Sequence, residues 1–182
     1  MSFRACEDFA GTWPPYPLMA PWILRYCGLL IVLRHRYHHT ISTNMSGELS
    51  LSALLSTLNP KIQPTTFVWA TLANSTLSSL PGPLMASALF TFAESEGLSL
   101  IVPQDIAREH NIPYIYPSRQ ITLDVHSSLE AVGFMAAISA RLAKAGFSSN
   151  PVSAYFHDHL FVKVEEAEKI VQVLKDMASE AA

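Results

Sequence analysis

The chain has 182 residues, of which 49% are hydrophobic and 15% are charged, and its formal net charge is -3. These values support a packed core and exclude an intrinsically disordered chain. The charge is unevenly distributed, because residues 1–44 carry four arginines and two acidic residues, a net +2, which leaves -5 for the remaining residues. A net-acidic body argues against the clustered basic surface that nucleic-acid binding requires.

The first 44 residues differ from the rest of the chain. A segment rich in proline and tryptophan is followed by an apolar run at 22–33 and a basic stretch at 34–39. The run is shorter than the ~20 residues that span a bilayer, and Arg25 interrupts it, so we expect no stable membrane span. We predict that 1–44 is a weakly ordered N-terminal extension, and a membrane-surface or targeting segment is the alternative.

Both cysteines, Cys6 and Cys27, lie in this extension. The body of the chain therefore has neither a disulfide framework nor a thiolate metal site. This cysteine usage suits a reducing compartment, and we predict a cytoplasmic protein.

The first half of the body contains a short helix, a strand, a hairpin and a second short helix. Hydrophobic periodicity and turn residues place these elements as follows: a leucine-lined helix stopped by Asn59-Pro60, a strand at 65–72, a loop at 73–87, two strands at 88–103 joined at Glu96-Gly97, and a helix at 104–110. Pro81-Gly82-Pro83 indicates irregular structure in the loop. Two further prolines predict that 112–120 is an edge strand or a connector.

The second half repeats this order more clearly. Alternating residues predict a strand at 121–126, an apolar stripe with a closing glycine predicts a helix at 133–146, and a hairpin at 152–164 precedes a last helix at 167–177. The order βαββα is that of a ferredoxin-like unit. We therefore predict an α+β fold of two such units side by side, with antiparallel sheets and the helices on one face.

The loop before the helix at 133–146 is the best candidate binding site. Ser127 and Ser128 offer hydroxyls, Gly133 allows close approach to the backbone, and the helix N-terminus attracts a carboxylate. Glu130 or Asp124 would pair with an ammonium group. The alternatives are structural, since either serine could only cap the helix and Glu130 could complete a capping box with Ser127.

The sequence His157-Asp158-His159 suggests a second kind of site, one that binds a metal ion. With His126, the two histidines could bind a metal ion if they share one face of a strand. If Asp158 and His159 form the hairpin turn instead, the two imidazoles diverge. We expect no metal or other cofactor, and we place Tyr155 and His157 on the ligand-side interface.

The stretches VHSSLEAVGFMAAIS, GFMAAISARLAKAG at 133–146 and YFHDHLFV resemble ACT domains. Taken together they resemble a family of tandem ACT-like proteins from bacteria and fungi that is related to the ACT modules of CASTOR-type arginine sensors. The resemblance implies a first ACT-like half at 45–116, a second ACT-like domain at 117–182, and amino-acid binding at the loop His126–Gly133. Leu129 and Val132 would then line the ligand site.

Three functions follow from these features. The leading hypothesis is a non-catalytic regulatory module that binds an amino acid or a similar small metabolite. The second is a protein–protein interaction module without a small ligand, in which the sheet pairs with a second copy or a partner protein. A metal-dependent enzyme that uses His126, His157 and His159 ranks last, because the sequence has no catalytic motif to support it.

Overall fold

The computed structural model describes residues 47–182. The strands are β1 (Pro60–Leu72), β2 (Phe90–Glu94), β3 (Gly97–Pro103), β4 (Ile115–Leu123), β5 (Asn150–Ser153) and β6 (Asp158–Lys163). The helices are α1 (Leu51–Ser56), α2 (Gly82–Ser87), α3 (Gln104–Glu109), α4 (Phe134–Lys144) and α5 (Ala167–Ala181). Short 3-10 turns lie at Leu77–Ser79 and Val164–Glu166. The predicted extension at 1–44 lies outside the described residues.

The six strands form one antiparallel sheet in the order β2-β3-β1-β4-β6-β5. Two βαββα units meet where β1 pairs with β4, and each unit contributes three neighbouring strands. The predicted α+β architecture of two ferredoxin-like units side by side is thus confirmed. The two units share a single continuous sheet, because each uses its first strand to cover the inner edge of the other.

The helices pack on one face of this sheet. On the second unit, Ile121 of β4 and Leu160 of β6 pack with α1, α4 and α5, and on the first unit Val68 of β1 packs with α2 and α3. The opposite face carries a smaller aromatic cluster centred on Phe161, which is buried against Phe67 and Ile101. Alternation along the regular parts of the strands separates the two faces.

The predicted loop at 73–87 is wrong in its second half, which forms α2. The Pro-Gly-Pro sequence begins this helix, with Pro81 as the residue before it and Pro83 in its first turn. Proline is tolerated there because the first amides of a helix have no intrahelical acceptor. Leu84 then anchors α2 in the core.

The prediction of an edge strand at 112–120 is also wrong, and only 112–114 of this range act as the connector between the two units that was the alternative. Strand β4 starts at Ile115 and lies in the centre of the sheet, between β1 and β6. The register shifts between Phe67 and Trp69 on β1, opposite Tyr116 and Pro117, and Tyr116 takes a positive φ of 53°. This bulge accommodates the missing proline amide, and Ser118 then pairs with Phe67 of β1 and with Lys163 of β6.

The hairpin near residue 157 turns earlier than the sequence suggested. Strand β5 ends at Ser153 and β6 begins at Asp158, so the turn comprises 154–157. Asp158 and His159 therefore belong to the strand and point to opposite faces of the sheet. The position of Asp158 decides the chemistry of the site.

Candidate functional site

The candidate site lies where the β4–α4 loop meets the start of β6. Two adjoining cavities of about 190 and 260 Å³ share the lining residues Ser127, Ser128 and Leu129. The first cavity reaches the N-terminus of α4 and the β5–β6 hairpin, and the second lies beside His126 and Tyr155. The loop therefore forms a wall common to both cavities.

Helix α4 begins without a side-chain cap. Its first flanking residue is Gly133, which takes a left-handed conformation with φ 94°, and no side chain accepts a hydrogen bond from the first turn. The prediction that Ser127 or Ser128 caps this helix is wrong, because the Ser128 hydroxyl instead accepts from the Glu130 amide at 3.2 Å. The amides of the first turn are thus left for another partner, and Gly133 and this turn line the smaller cavity.

A buried carboxylate lies on the other side of the smaller cavity. Asp158 is 7% exposed and its Oδ2 accepts a hydrogen bond from the Ser127 hydroxyl at 3.0 Å. Its other oxygen accepts from the hydroxyl of Ser153. Each oxygen keeps acceptor capacity, since an ionised carboxylate offers about four lone-pair positions. The cavity therefore combines a negative group with the positive end of a helix dipole.

Asp158 and Ser153 were not predicted as ligand-binding residues. The sequence signal that could have found Asp158 is its alternation with Leu160 and Val162, which places it on the helix-covered side of β6. Carboxylates are rarely buried unless they are paired, and Asp158 is paired with the hydroxyls of Ser127 and Ser153.

The other predicted site residues are more dispersed. His126 contacts the ring of Phe156 at a centroid distance of 5.2 Å and lines the larger cavity with Glu130 and Tyr155. Leu129 is 70% exposed at the rim and Val132 is 86% exposed. The structure thus brings Ser127, Ser128, Leu129 and Gly133 together around the smaller cavity, whereas Val132 lines neither of the two.

Asp124 and His157 support the loop from outside the two cavities. Asp124 forms an ion pair with Lys61 and accepts from Asn59 Nδ2 at 3.3 Å, and the Lys61 ammonium lowers the pKa of this carboxyl. His157 Nδ1 donates to the Val125 carbonyl at 3.1 Å. His157 therefore holds the loop backbone at Val125, whereas Asp124 joins the end of β4 to the side chains of Asn59 and Lys61.

The metal hypothesis has no assembled ligand set in residues 47–182, where no three His, Cys, Asp or Glu side chains converge. His159 points to the sheet face opposite the helices, where its Nδ1 lies 3.0 Å from Gln120 Nε2 and 3.1 Å from Thr122 Oγ1. Burial, and then the nearby His157, lowers the pKa of His159, which favours the neutral imidazole. The two histidines therefore face different surroundings.

Residues 47 and 48 extend the site on its other side. The Glu48 amide donates to the His126 carbonyl at 2.8 Å, and the Ser128 amide donates to the Glu48 carbonyl at 3.0 Å. A Cβ at Gly47 would lie 2.5 Å from the Ser128 nitrogen, so only glycine permits this approach. The segment before α1 thus holds the binding loop by main-chain hydrogen bonds.

Comparison with known proteins follows the division into two units. ACT-domain family models match residues 46–119 and 115–176. A Vibrio cholerae protein of unknown function is 34% identical with a TM-score of 0.62, over 70% of this chain and 95% of that one. An Agrobacterium tumefaciens protein is 17% identical with a TM-score of 0.57, over 66% of this chain and 89% of that one.

The regulatory subunit of aspartate kinase from Thermus flavus shares the fold. It has a TM-score of 0.51 at 9% identity, over 66% of this chain and 97% of that subunit. No curated protein is significantly similar to the chain. None of the helices in 47–182 combines the length and apolar composition that crossing a membrane requires.

Proposed function

The chain belongs to the ACT-domain family, with two ACT domains in tandem, and we propose that it is a non-catalytic regulatory module that binds an amino acid or a similar small metabolite. The observation that carries this proposal is the pairing of an uncapped helix N-terminus with a buried carboxylate in one cavity. ACT domains are typically regulatory ligand-binding modules, and the aspartate kinase subunit with this fold is itself a regulatory subunit.

The cavity chemistry matches the two ends of a free amino acid. The ligand carboxylate would accept from the first-turn amides Phe134, Met135 and Ala136, where the helix dipole adds attraction. The ligand ammonium would pair with Asp158, which replaces Asp124 and Glu130 as the strongest candidate because it is buried and lines the same cavity.

The size of the site favours a small ligand. The two cavities, at about 190 and 260 Å³, together lie in the lower part of the range of roughly 300–1,000 Å³ that small-molecule pockets cover. The larger one, lined by His126, Glu130 and Tyr155, would receive the ligand side chain. An acidic and an aromatic group there favour a basic side chain, which agrees with the proposed relation to CASTOR-type arginine sensors.

A regulatory signal would pass through the elements that the ligand joins. Ser127 on the loop and Ser153 on the hairpin both donate to Asp158, so a ligand on this carboxylate would bias the packing of the loop, the hairpin and α4 together. In the proposed domain division, 45–116 and 117–182, the smaller cavity belongs to the second domain, and Gly47 of the first domain joins the lining of the larger cavity. We place the module in the cytoplasm, where it would act as a homodimer or with a partner protein.

The test is a thermal-shift screen of the full chain against the amino acids, arginine included. A ligand at about 100 times its dissociation constant adds roughly 2.7 kcal/mol, which raises the melting temperature by several degrees. Asp158→Asn should weaken binding by at least about tenfold, since removing a charged hydrogen-bond partner costs ~1.5–3 kcal/mol. Asp105→Asn, at an exposed aspartate in the first turn of α3, is the matched control and should leave affinity unchanged.

Two results would contradict the proposal: no shift from any amino acid at millimolar concentration, or equal affinity of Asp158→Asn and the wild-type protein. The alternative, a protein–protein interaction module without a small ligand, would then take its place. It is favoured by the exposed aromatic side chains of Tyr155 and Phe156, which contact each other at 4.8 Å beside the loop.

A further inference from the structure

A further cavity lies in the first unit, on the sheet face opposite the helices. Its volume of about 520 Å³ exceeds that of either cavity of the candidate site and falls within the roughly 300–1,000 Å³ of small-molecule pockets. Strand β3 separates β1 from β2, so residues of β1 and β2 in one row have Cα atoms about 9–10 Å apart. Trp69 of β1 and Phe90 of β2 flank Ile101 of β3 in this way, and both line the cavity.

The floor of this cavity is a small side chain. In the next row along the strands, Ser99 of β3 lies between Thr71 of β1 and Phe92 of β2. A serine there leaves open the space between the two flanking strands. The ring of Phe92, which is 59% exposed, stacks on that of Phe90 at 6.3 Å with an interplanar angle of 5°. The cavity is therefore a trough with aromatic walls.

One negative charge lines the trough. Among the described residues, its lining contains the carboxylate of Glu94 and no lysine, arginine or histidine. Glu94 lies two residues after Phe92 on β2, and its carboxylate accepts a hydrogen bond from the hydroxyl of Ser99. The charge is thereby held over the floor of the trough. The sequence from Ile62 to Ala93 has no charged residue or histidine, so this stretch supplies no basic side chain to neutralise it.

We propose that this cavity binds a small organic cation with apolar substituents, such as a trimethylammonium compound. The face of an aromatic ring attracts a cation, and the attraction is strongest where water is excluded. Trp69, Phe90 and Phe92 supply the rings, and Glu94 supplies a full negative charge. Methyl groups around the cationic nitrogen make apolar contacts with the rings, and the remaining volume of the trough accommodates a further substituent on the nitrogen.

The same lining disfavours an anion or a free amino acid. A carboxylate binds where several N–H donors or a basic side chain converge, and the described part of the lining contains no basic side chain. The candidate site of the second unit differs in this respect, because it offers the first-turn amides of α4. Cation binding in the first unit therefore stands or falls independently of the amino acid proposed for the second unit.

The fluorescence of Trp69 reports binding at the cavity wall. The chain has three tryptophans, so the full chain with Trp13→Phe and Trp22→Phe emits from Trp69 alone. Choline is the probe, and its control is the uncharged alcohol in which a carbon atom replaces the ammonium nitrogen. Choline should change the Trp69 emission saturably, and it should bind at least about tenfold more tightly than the alcohol of the same shape.

Two variants in this background test the assigned groups. Glu94→Gln should weaken choline binding at least about threefold and leave the affinity for the alcohol unchanged. Glu96→Gln is the matched control, because Glu96 is exposed in the adjoining turn and does not line the cavity. Phe92→Leu, which keeps an apolar side chain but removes the ring, should weaken binding of choline more than that of the alcohol. Circular dichroism shows whether each variant is folded.

Three results would overturn the proposal. The first is no saturable change in Trp69 emission up to about 10 mM choline, which sets a limit on the dissociation constant. The second is equal affinity for choline and the alcohol, which would leave an apolar cavity without preference for a cation. The third is equal choline affinity of Glu94→Gln and Glu96→Gln, which would remove the carboxylate from the site.

Discussion

Two glycines at the ends of α4 allow the role of its N-terminus to be separated from its stability. Gly133 has φ 94° before the helix and Gly146 has φ 82° after it. An added Cβ would meet only the Leu51 side chain at 3.5 Å in the first case and nothing within 4 Å in the second. The cost of each alanine is therefore conformational, about 1–2 kcal/mol for a left-handed residue with a side chain.

Gly133→Ala and Gly146→Ala should consequently lose similar stability, roughly 2–8 °C in melting temperature. Only Gly133→Ala should weaken amino-acid binding, because relief of its strain reorients the first-turn amides that would hold the ligand carboxylate. Thermal melts give the stability of each variant, and isothermal titration with the ligand found in the screen gives the affinity. Equal affinities of the two variants would refute the assignment of the α4 N-terminus as the carboxylate site.

Two further predictions concern the sheet face opposite the helices. Burial lowers the pKa of His159, so the stability that this residue contributes is present above its unfolded pKa and is lost as the pH falls. Between about pH 7.5 and about pH 5, the melting temperature of His159→Gln should therefore drop less than that of the wild-type protein. An equal drop would contradict this prediction. Phe161 is 1% exposed and packs edge-on against Phe67 and Trp69. Phe161→Ala should lower the free energy of unfolding in urea by about 3–5 kcal/mol, whereas Phe92→Ala, at an exposed position, should lower it by less than ~1 kcal/mol.

Elements with strong hydrophobic periodicity were predictable from the sequence. The stripe Ile170, Val171 and Leu174 is buried as expected, and so are Ile138 and Leu142 of α4. These residues form one continuous apolar face of a helix, so the local sequence pattern is sufficient to predict both the helix and the face that is buried. The two-unit fold follows from the same patterns.

The errors occurred where a proline or glycine has a role that only tertiary structure reveals. Pro117 is accommodated in a central strand because Tyr116 forms a bulge opposite β1, a contact far away in the sequence. The alternative that a serine caps α4 failed because Gly133, in a left-handed conformation, occupies the position before the helix. In the first case strand pairing, and in the second the backbone conformation of a glycine, overrode the structure that the local sequence favours.

The site chemistry was only half predictable. The loop residues Ser127 and Ser128 were identified by their position before a helix, and both line the smaller cavity. The carboxylate Asp158 was missed because a hairpin without glycine leaves the turn position, and hence the face of each strand residue, undetermined. A one-residue change in the turn would have moved it to the other face of the sheet.

The central claim is that the open N-terminus of α4 holds the carboxylate of an amino acid. Two-dimensional ¹⁵N–¹H NMR of the full chain, titrated with the amino acid found in the screen, tests it most directly. The account predicts that the amides of Phe134, Met135 and Ala136 shift most and saturably, together with those around Asp158. Saturable shifts confined to residues elsewhere, with these three amides unmoved, would contradict it.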